Sequence, residues 1–570
     1  MTATDDAAST PLAPTSPRAA VEQLLREALA AAISSGALPA LPPGIGEPDV
    51  DVARPPQQAK ADLASSVALK LARPLRMAPL AIAAAVAASL EASAGASAVI
   101  GSIEVAHPGF INLRLTPGFL ERSLDAVRTA GAAFGRVEVP GRHHVNVEFV
   151  SANPTGPLHI GNARGAFVGD LLCRVLEAGG REVTREYYFN DFGSQVMNLG
   201  ASVLAIANGT DLPEDGYRGA YVHELAAELP DELVAATAAS PDQATSIVGQ
   251  WASERVRAGI EASLERLGVT FDVWFTESTL HREGWIQRAI ERLQAGGHLF
   301  EQDGALWFRS TAFGDDKDRV IRRSNGAYTY FGADIGYVIN KFERGFDHLI
   351  YLWGADHHGT VARNRNAAEA MGYDRSAVEM LLIAWVRFVR DGQDVSMSKR
   401  AGEFITLDDL LEEIGVDAAR WYFAARATTS SIDFDIEAAK DPTAANPVHY
   451  VRYAHARISS ILRKAAEAGL GPADSLDGTL AGDEVAQGLA REILRLPDVV
   501  GDAALAQETQ GVTAYATELA TVFHAFYRDR RVVDPEALET SRARLALVDA
   551  ARLALASTLG LLGISAPDSM

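Results

Sequence analysis

At roughly 150 residues per domain, a chain of 570 residues holds about three or four domains. Hydrophobic residues are 48% and charged residues 22% of the chain, the balance of a soluble globular protein with ample core. The one cysteine, Cys173, excludes an internal disulfide and any multi-cysteine zinc site, and a net charge of -22 confines nucleic-acid contact to a local basic face.

The opening MTATDDAASTPLAPTSPR is acidic and rich in Thr, Ser and Pro, with no secretion signal, and residues 1–17 read as a disordered tail. Residues 18–125 form a first α+β unit, with helical spacing at 18–32, 60–71 and 79–90 and strand-like runs at 97–104 and 109–115. The apolar run from Met77 to Leu90 is too short for a membrane span and reads as a buried Ala-rich helix. No membrane contact and a cytoplasmic chain are expected. Residues 126–439 alternate strands and helices, the pattern of a parallel sheet covered on both faces, interrupted at about 200–320 by long helical patterns read as one insertion. Beyond 440 only helical spacing remains, at 446–468, 484–496, 508–527 and 536–562, which predicts an all-α bundle over 440–570.

Within the alternating region, VNVEFV (145–150) has the period of a strand. Apolar residues at Phe167, Leu171 and Val175 then mark a helix that stops at Gly179 and Gly180. Between them lies SANPTGPLHIGNARG (151–165), a strand-to-helix turn of the kind that receives nucleotide phosphates at free helix N–H groups. His159 can donate to phosphate and Gly161 permits close approach of the backbone. Some 240 residues on, DVSMSKRAGEFITL (394–407) is a polar segment carrying Lys399.

The two segments together resemble the paired signatures of class I aminoacyl-tRNA synthetases. Longer stretches narrow the resemblance to the arginyl-tRNA synthetases over nearly the whole chain. They include HPGFINLRL, VEFVSANPTGPLHIGNARGAFVGD, YYFNDFGSQV, YLWGADHHGTVAR, SMSKRAGEFITLDDLL and YVRYAHARI. The resemblance implies a Rossmann-type parallel-sheet catalytic domain, an N-terminal α+β domain touching the tRNA elbow, and a C-terminal helical bundle reading the anticodon. It implies activation of arginine by ATP, release of pyrophosphate and transfer of arginine to the 3′ end of tRNA(Arg). Its first signature is Ala152-Asn153-Pro154-Thr155-Gly156-Pro157-Leu158-His159-Ile160-Gly161-Asn162.

On the same resemblance His159, Asn162 and Lys399 carry catalysis, and ATP meets His159, Gly161, Asn162, Asp356, Met397, Ser398 and Lys399. Glu148, Ser151, Asn153, Tyr330, Asp334 and His357 form the arginine pocket, with Tyr328 close enough to be an alternative to Tyr330. Two carboxylates, an amide and a phenol suit a planar guanidinium and an α-ammonium. Tyr450, Tyr453 and Arg457 are expected on tRNA, in a stretch where aromatic and basic residues interleave. Asn162 departs from the second histidine of the first signature, and Ser396 and Arg400 from the outer residues of the second. The pairs His143-His144 and His357-His358 lack the i, i+4 spacing of a helical zinc site, so no structural zinc is expected. Magnesium is expected to arrive with ATP, and the chain to be a monomer. A cysteinyl relative is excluded by the cysteine count, and there is no room for the editing insertion of enzymes for Leu, Ile and Val. A catalytically silent tRNA-binding paralogue stays as the rival.

Overall fold

The structure, a computed structural model, describes residues 16–44, 46, 48–56, 59–191, 193–395 and 405–570, with only the backbone for Asp356, His358 and Thr360. Met397, Ser398 and Lys399 therefore lie outside the described residues, as does the tail up to residue 15. Ser16 caps the first helix, Pro17–Ser34, by accepting from the Ala19 N–H at 3.0 Å, and Pro17 opens it where no backbone N–H is needed.

Four antiparallel strands, in the order Val52–Ala53, Leu63–Ser65, Phe110–Leu115, Ile100–Ala106, carry the N-terminal unit, with helices Val67–Leu75 and Pro79–Glu91 packed beside Pro17–Ser34. The helix expected at 60–71 is a strand that pairs Leu63 with Leu113, followed by a helix from Val67. A further helix, Pro117–Ala130, is capped by Thr116.

The central sheet has five parallel strands in the order Val378–Ile383, His348–Gly354, His144–Glu148, Glu182–Phe189, Val273–Thr276. The strand first in the chain sits in the middle. Connections leave it in opposite directions, so the order reverses beside His144–Glu148, the place where open parallel sheets bind ligands beyond the carboxyl ends of their strands. The helix Ile160–Ala178 follows that strand and packs against it closely. A Cβ at Gly169 would fall 2.3 Å from the Phe149 ring.

The single insertion expected at about 200–320 is two excursions, because Val273–Thr276 returns to the sheet as its edge strand. That strand has only four residues and stands between helical patterns, so its period is too brief to register. The first excursion is helical, through Ser194–Ala207 and Ala244–Arg266; the second is a three-stranded antiparallel sheet of Leu299–Gln302, Ala305–Phe308 and Arg319–Arg322. A separate small sheet pairs Val386–Arg390 with Ile432–Asp435.

The C-terminal bundle comprises Pro447–Glu467, Glu484–Ile493, Leu496–Ala506, Gln510–Asp529 and Leu538–Leu562. Leu496–Ala506 was not expected as a separate helix; Pro497 sits in its first turn, where proline is tolerated. Leu538–Leu562 is long and apolar enough to cross a membrane, yet it lies at the centre of the bundle with most of its apolar surface buried. The bundle also docks on the N-terminal unit. Arg18 pairs with Asp502 at 2.8 Å, Arg114 with Glu484 at 3.1 Å, and Glu121 accepts from the backbone N–H of Gly478 and Leu480.

Candidate active site

The chain leaves the strand His144–Glu148 through two left-handed residues, Val150 (φ 65°) and Ser151 (φ 40°). A β-branched residue there is strained by about 1–3 kcal/mol and persists only where its surroundings hold it. They do so here. Ser151 N–H donates to Phe149 O at 2.9 Å, Ser151 Oγ accepts from the Tyr188 N–H at 3.1 Å, and the Tyr187 hydroxyl donates to Ala152 O at 2.9 Å. The Tyr221 hydroxyl pins the turn further on, donating to Thr155 O at 2.6 Å. Ala152 to Leu158 thus leaves the strand end along a pinned path, with Pro154, Thr155 and Leu158 buried and Asn153 exposed.

His159 is the N-cap of the helix Ile160–Ala178. Its Nδ1 accepts from the Gly161 N–H at 3.0 Å, which leaves the ring proton on Nε2. Gly161 has no room for a side chain, since a Cβ would lie 2.7 Å from His159 Cε1. The Asn162 carboxamide oxygen accepts from the His159 N–H at 3.2 Å and closes a capping box. Asn162 is thereby half committed to the helix start, and only its NH₂ remains to reach a phosphate.

The first signature is tied to the segment that follows the second. Ile160 N–H donates to Ile405 O at 3.2 Å, Leu407 N–H donates to Leu158 O at 3.0 Å, and His159 faces Thr406 as an antiparallel pair. Arg164, buried one turn into the helix, donates to the carbonyls of Ala384, Ala427 and Ser430 at 2.7–2.8 Å and so fixes the helix start against the strand ends beyond.

Glu148 is buried at the strand end, where its Oε2 accepts from Lys341 Nζ at 2.7 Å and its Oε1 from Ser151 Oγ at 3.3 Å. Burial raises its pKa, Glu186 adds to that, and Lys341 and Ser151 oppose it. Lys341 belongs to the helix Tyr330–Glu343, whose positions Asp334, Tyr337 and Lys341, with Arg344 at its C-cap, follow at intervals of three and four and so share one face. That face meets a second buried carboxylate, Glu186. It accepts from Asn146 Nδ2 at 2.8 Å, from Arg344 Nη2 at 2.5 Å and from the Tyr337 hydroxyl. Burial alone would raise the Glu186 pKa, but Lys341, Arg344 and Tyr337 outweigh it and hold it below its ordinary value.

Asp334 lies one turn from the start of that helix, with its carboxylate 3.8 Å from Arg363. Partial burial pushes its pKa up to about 7, with Glu148 and Glu277 adding to the rise and Arg363 opposing it. Tyr330, at the first helical position, is 68% exposed, whereas Tyr328 is partly buried with its ring 6.0 Å from that of His281. His357 is exposed, its ring 5.6 Å from that of Trp353 at the end of the neighbouring strand. The Asp356 side chain lies outside the described residues. Among the described residues, no three His, Cys, Asp or Glu side chains are grouped to hold a metal ion.

In the C-terminal bundle, Arg457 stacks over Tyr453 (5.0 Å) and Tyr527 (4.8 Å) and donates to the Tyr453 hydroxyl at 2.7 Å. Both tyrosines are more than a third exposed, while Tyr450 turns inward toward His524 and Thr521. Lys341, Tyr337, Arg344 and Glu186 escape a reading of the sequence. For Lys341, Tyr337 and Arg344 the one signal is the polar stripe on an otherwise apolar helix, while Glu186 sits on the strand Glu182–Phe189.

Comparison with known proteins gives three family matches in chain order: the arginyl tRNA synthetase N terminal domain over 19–115, the catalytic domain of class I tRNA synthetases (R) over 127–221 and 233–461, and the DALR anticodon binding domain over 451–570. The arginine–tRNA ligase of Bacillus licheniformis is 42% identical over 92% of this chain and 95% of its own. That of Bacillus subtilis is 40% identical over 96% of this chain and 99% of its own. In fold, the chain is similar to the arginyl-tRNA synthetase of Thermus thermophilus, with a TM-score of 0.75 at 23% identity over 96% of this chain and all of that one. The catalytic match alone covers more than half of the sequence, and the chain belongs to the arginyl-tRNA synthetases, ligases of class I.

Proposed function

We propose that Glu148, Ser151, Asn153 and Asp334 bind arginine, with Tyr330 and His357 at the rim, and that His159, Gly161 and Asn162 meet ATP together with Asp356, Met397, Ser398 and Lys399. The observation that carries this reading is the backbone pairing of residues 158–160 with 405–407, which ties the segment after the second signature to the start of the helix Ile160–Ala178. In the reaction, an arginine carboxylate oxygen bonds to the α-phosphorus of ATP as the bond to pyrophosphate breaks. A hydroxyl at the tRNA 3′ end then attacks the arginyl carbonyl, and AMP leaves. No enzyme nucleophile is needed, so the protein's part is to position and to stabilise charge. His159 Nε2–H supplies a donor at the helix start, where the helix dipole favours phosphate. Magnesium would enter on the ATP phosphates. A monomer, a cytoplasmic setting and contact of residues 18–125 with the tRNA elbow complete the reading. Its test is ATP–pyrophosphate exchange with tRNA present. Exchange that depends on arginine supports it, and its absence would favour a silent tRNA-binding chain.

The raised pKa of Asp334 makes arginine binding depend on pH. A guanidinium needs the carboxylate, so below pH 7 binding must expel a proton. Arginine affinity should rise about tenfold per pH unit up to about 7 and level off above it. Calorimetry at pH 6 in buffers of different ionisation enthalpy should record proton release. Asp334→Asn should bind weakly with no slope; a slope unchanged in that variant would remove Asp334 from the pocket.

The Tyr453–Arg457–Tyr527 platform fits the stacking of unpaired bases in the anticodon-binding domain. Tyr453→Ala and Arg457→Ala should each weaken tRNA binding by roughly 1–3 kcal/mol while leaving the KM values for arginine and ATP unchanged. Unaltered tRNA KM in both variants would move base contact elsewhere on the bundle.

A further inference from the structure

Lys341 is fully buried, 193 residues from Glu148 in sequence and 2.7 Å from its Oε2. Its ammonium is wedged between two aromatic faces, 4.2 Å from the Tyr337 ring centroid and 3.9 Å from that of Tyr351. Tyr337 is fixed in turn by its hydroxyl on Glu186. The cation is thus held by one carboxylate oxygen and two aromatic faces. Oε2 is capped from inside the protein, and Oε1 keeps only the long contact with Ser151.

We propose that Lys341 is a positioning residue of the amino-acid pocket: it keeps Glu148 ionised and turned so that Oε1 alone is offered to the guanidinium. This rests on the reading of Glu148 as an arginine ligand. A buried carboxylate without a counter-ion takes up a proton, and the raised pKa of Glu148 shows burial already pulling in that direction against Lys341. A protonated carboxyl would present a competing donor to a guanidinium that only donates. The capped oxygen also matters for recognition, because a ligand ammonium cannot take the place that Lys341 fills. The pocket then selects a fork that reaches Oε1 and a second acceptor together.

The test uses the full chain with Lys341→Met, Lys341→Arg, Lys341→Gln, Glu148→Gln and the Glu148→Gln/Lys341→Met double variant, reading arginine and ATP KM separately. Lys341→Met should raise the arginine KM about 100-fold with little change in the ATP KM, as expected for truncating one partner of a buried charge pair. Lys341→Arg should restore most of the loss. The double variant should bind arginine no worse than Glu148→Gln alone, since one residue acts through the other. If the methionine variant does not fold, Lys341→Gln, which keeps a donor without charge, gives the same comparison with a smaller effect. An arginine KM unchanged or lowered in the neutral variants overturns the proposal, as does a double variant in which the two losses multiply. Should Glu148→Gln itself leave the arginine KM unaltered, the pocket assignment fails. A loss in Glu148→Gln with none in the Lys341 variants defeats only the role given to Lys341.

Discussion

Alanine at Lys399 should lower kcat for arginine charging by two to three orders of magnitude while raising the KM for ATP far less. The lysine is the only one in the second signature, and the turn before His159, Pro154-Thr155-Gly156-Pro157-Leu158, supplies no other. Charge on the departing pyrophosphate grows as the phosphorus–oxygen bond breaks, so an ammonium aimed at it acts mainly in the transition state. Removing one preorganised charge of this kind costs about 3–4 kcal/mol. His159 cannot take over, because its Nδ1 is held by Gly161 and it contributes a single donor at the helix start. Steady-state charging by Lys399→Ala beside Arg400→Ala is the measurement. The first should be nearly inactive and the second only weakened, and the reverse ranking would shift the assigned register by one residue.

Glu148→Gln should raise the KM for arginine by roughly 2–4 kcal/mol in binding free energy, with the ATP KM nearly constant. The amide removes the charge from the strand end and leaves Lys341 facing a neutral partner. The variant should also unfold at lower temperature, since breaking a buried ion pair from one side strands the other charge. The two effects separate in the kinetics: lost stability reduces the amount of active enzyme, whereas a lost ligand group moves one KM. Equal change in both KM values would remove Glu148 from the pocket.

The strand ending at Glu148 and the helix starting at His159 were legible because each shows its period over enough residues, with a turn of distinctive composition between them. Residues of the short strand at Val273–Thr276 were not, since four residues carry too little period and the sheet position comes from a neighbour 87 residues earlier, near Tyr188. That Glu148 needs a partner was readable, because a carboxylate within a covered strand is costly on its own. Its partner was not, because Lys341 reaches it only through tertiary packing. Asn162 shows a further limit. Its substitution in the signature was plain, but that it closes a capping box depends on the rotation of one side chain toward the His159 N–H.

Arg420 in the catalytic region is buried and donates to Asp170 on the signature helix at 2.8 Å, to the carbonyls of Leu267 and Gly268, and to Leu562 O at 3.1 Å. Leu562 is translated 142 residues after the arginine it satisfies. On the ribosome, therefore, the catalytic region emerges before the helix that supplies one of the acceptors of this guanidinium. One buried side chain thus joins the signature helix, the turn after the helical excursion and the last bundle helix. A nascent chain stalled before residue 538 would hold both signatures and still lack the carbonyl that Leu562 supplies to Arg420.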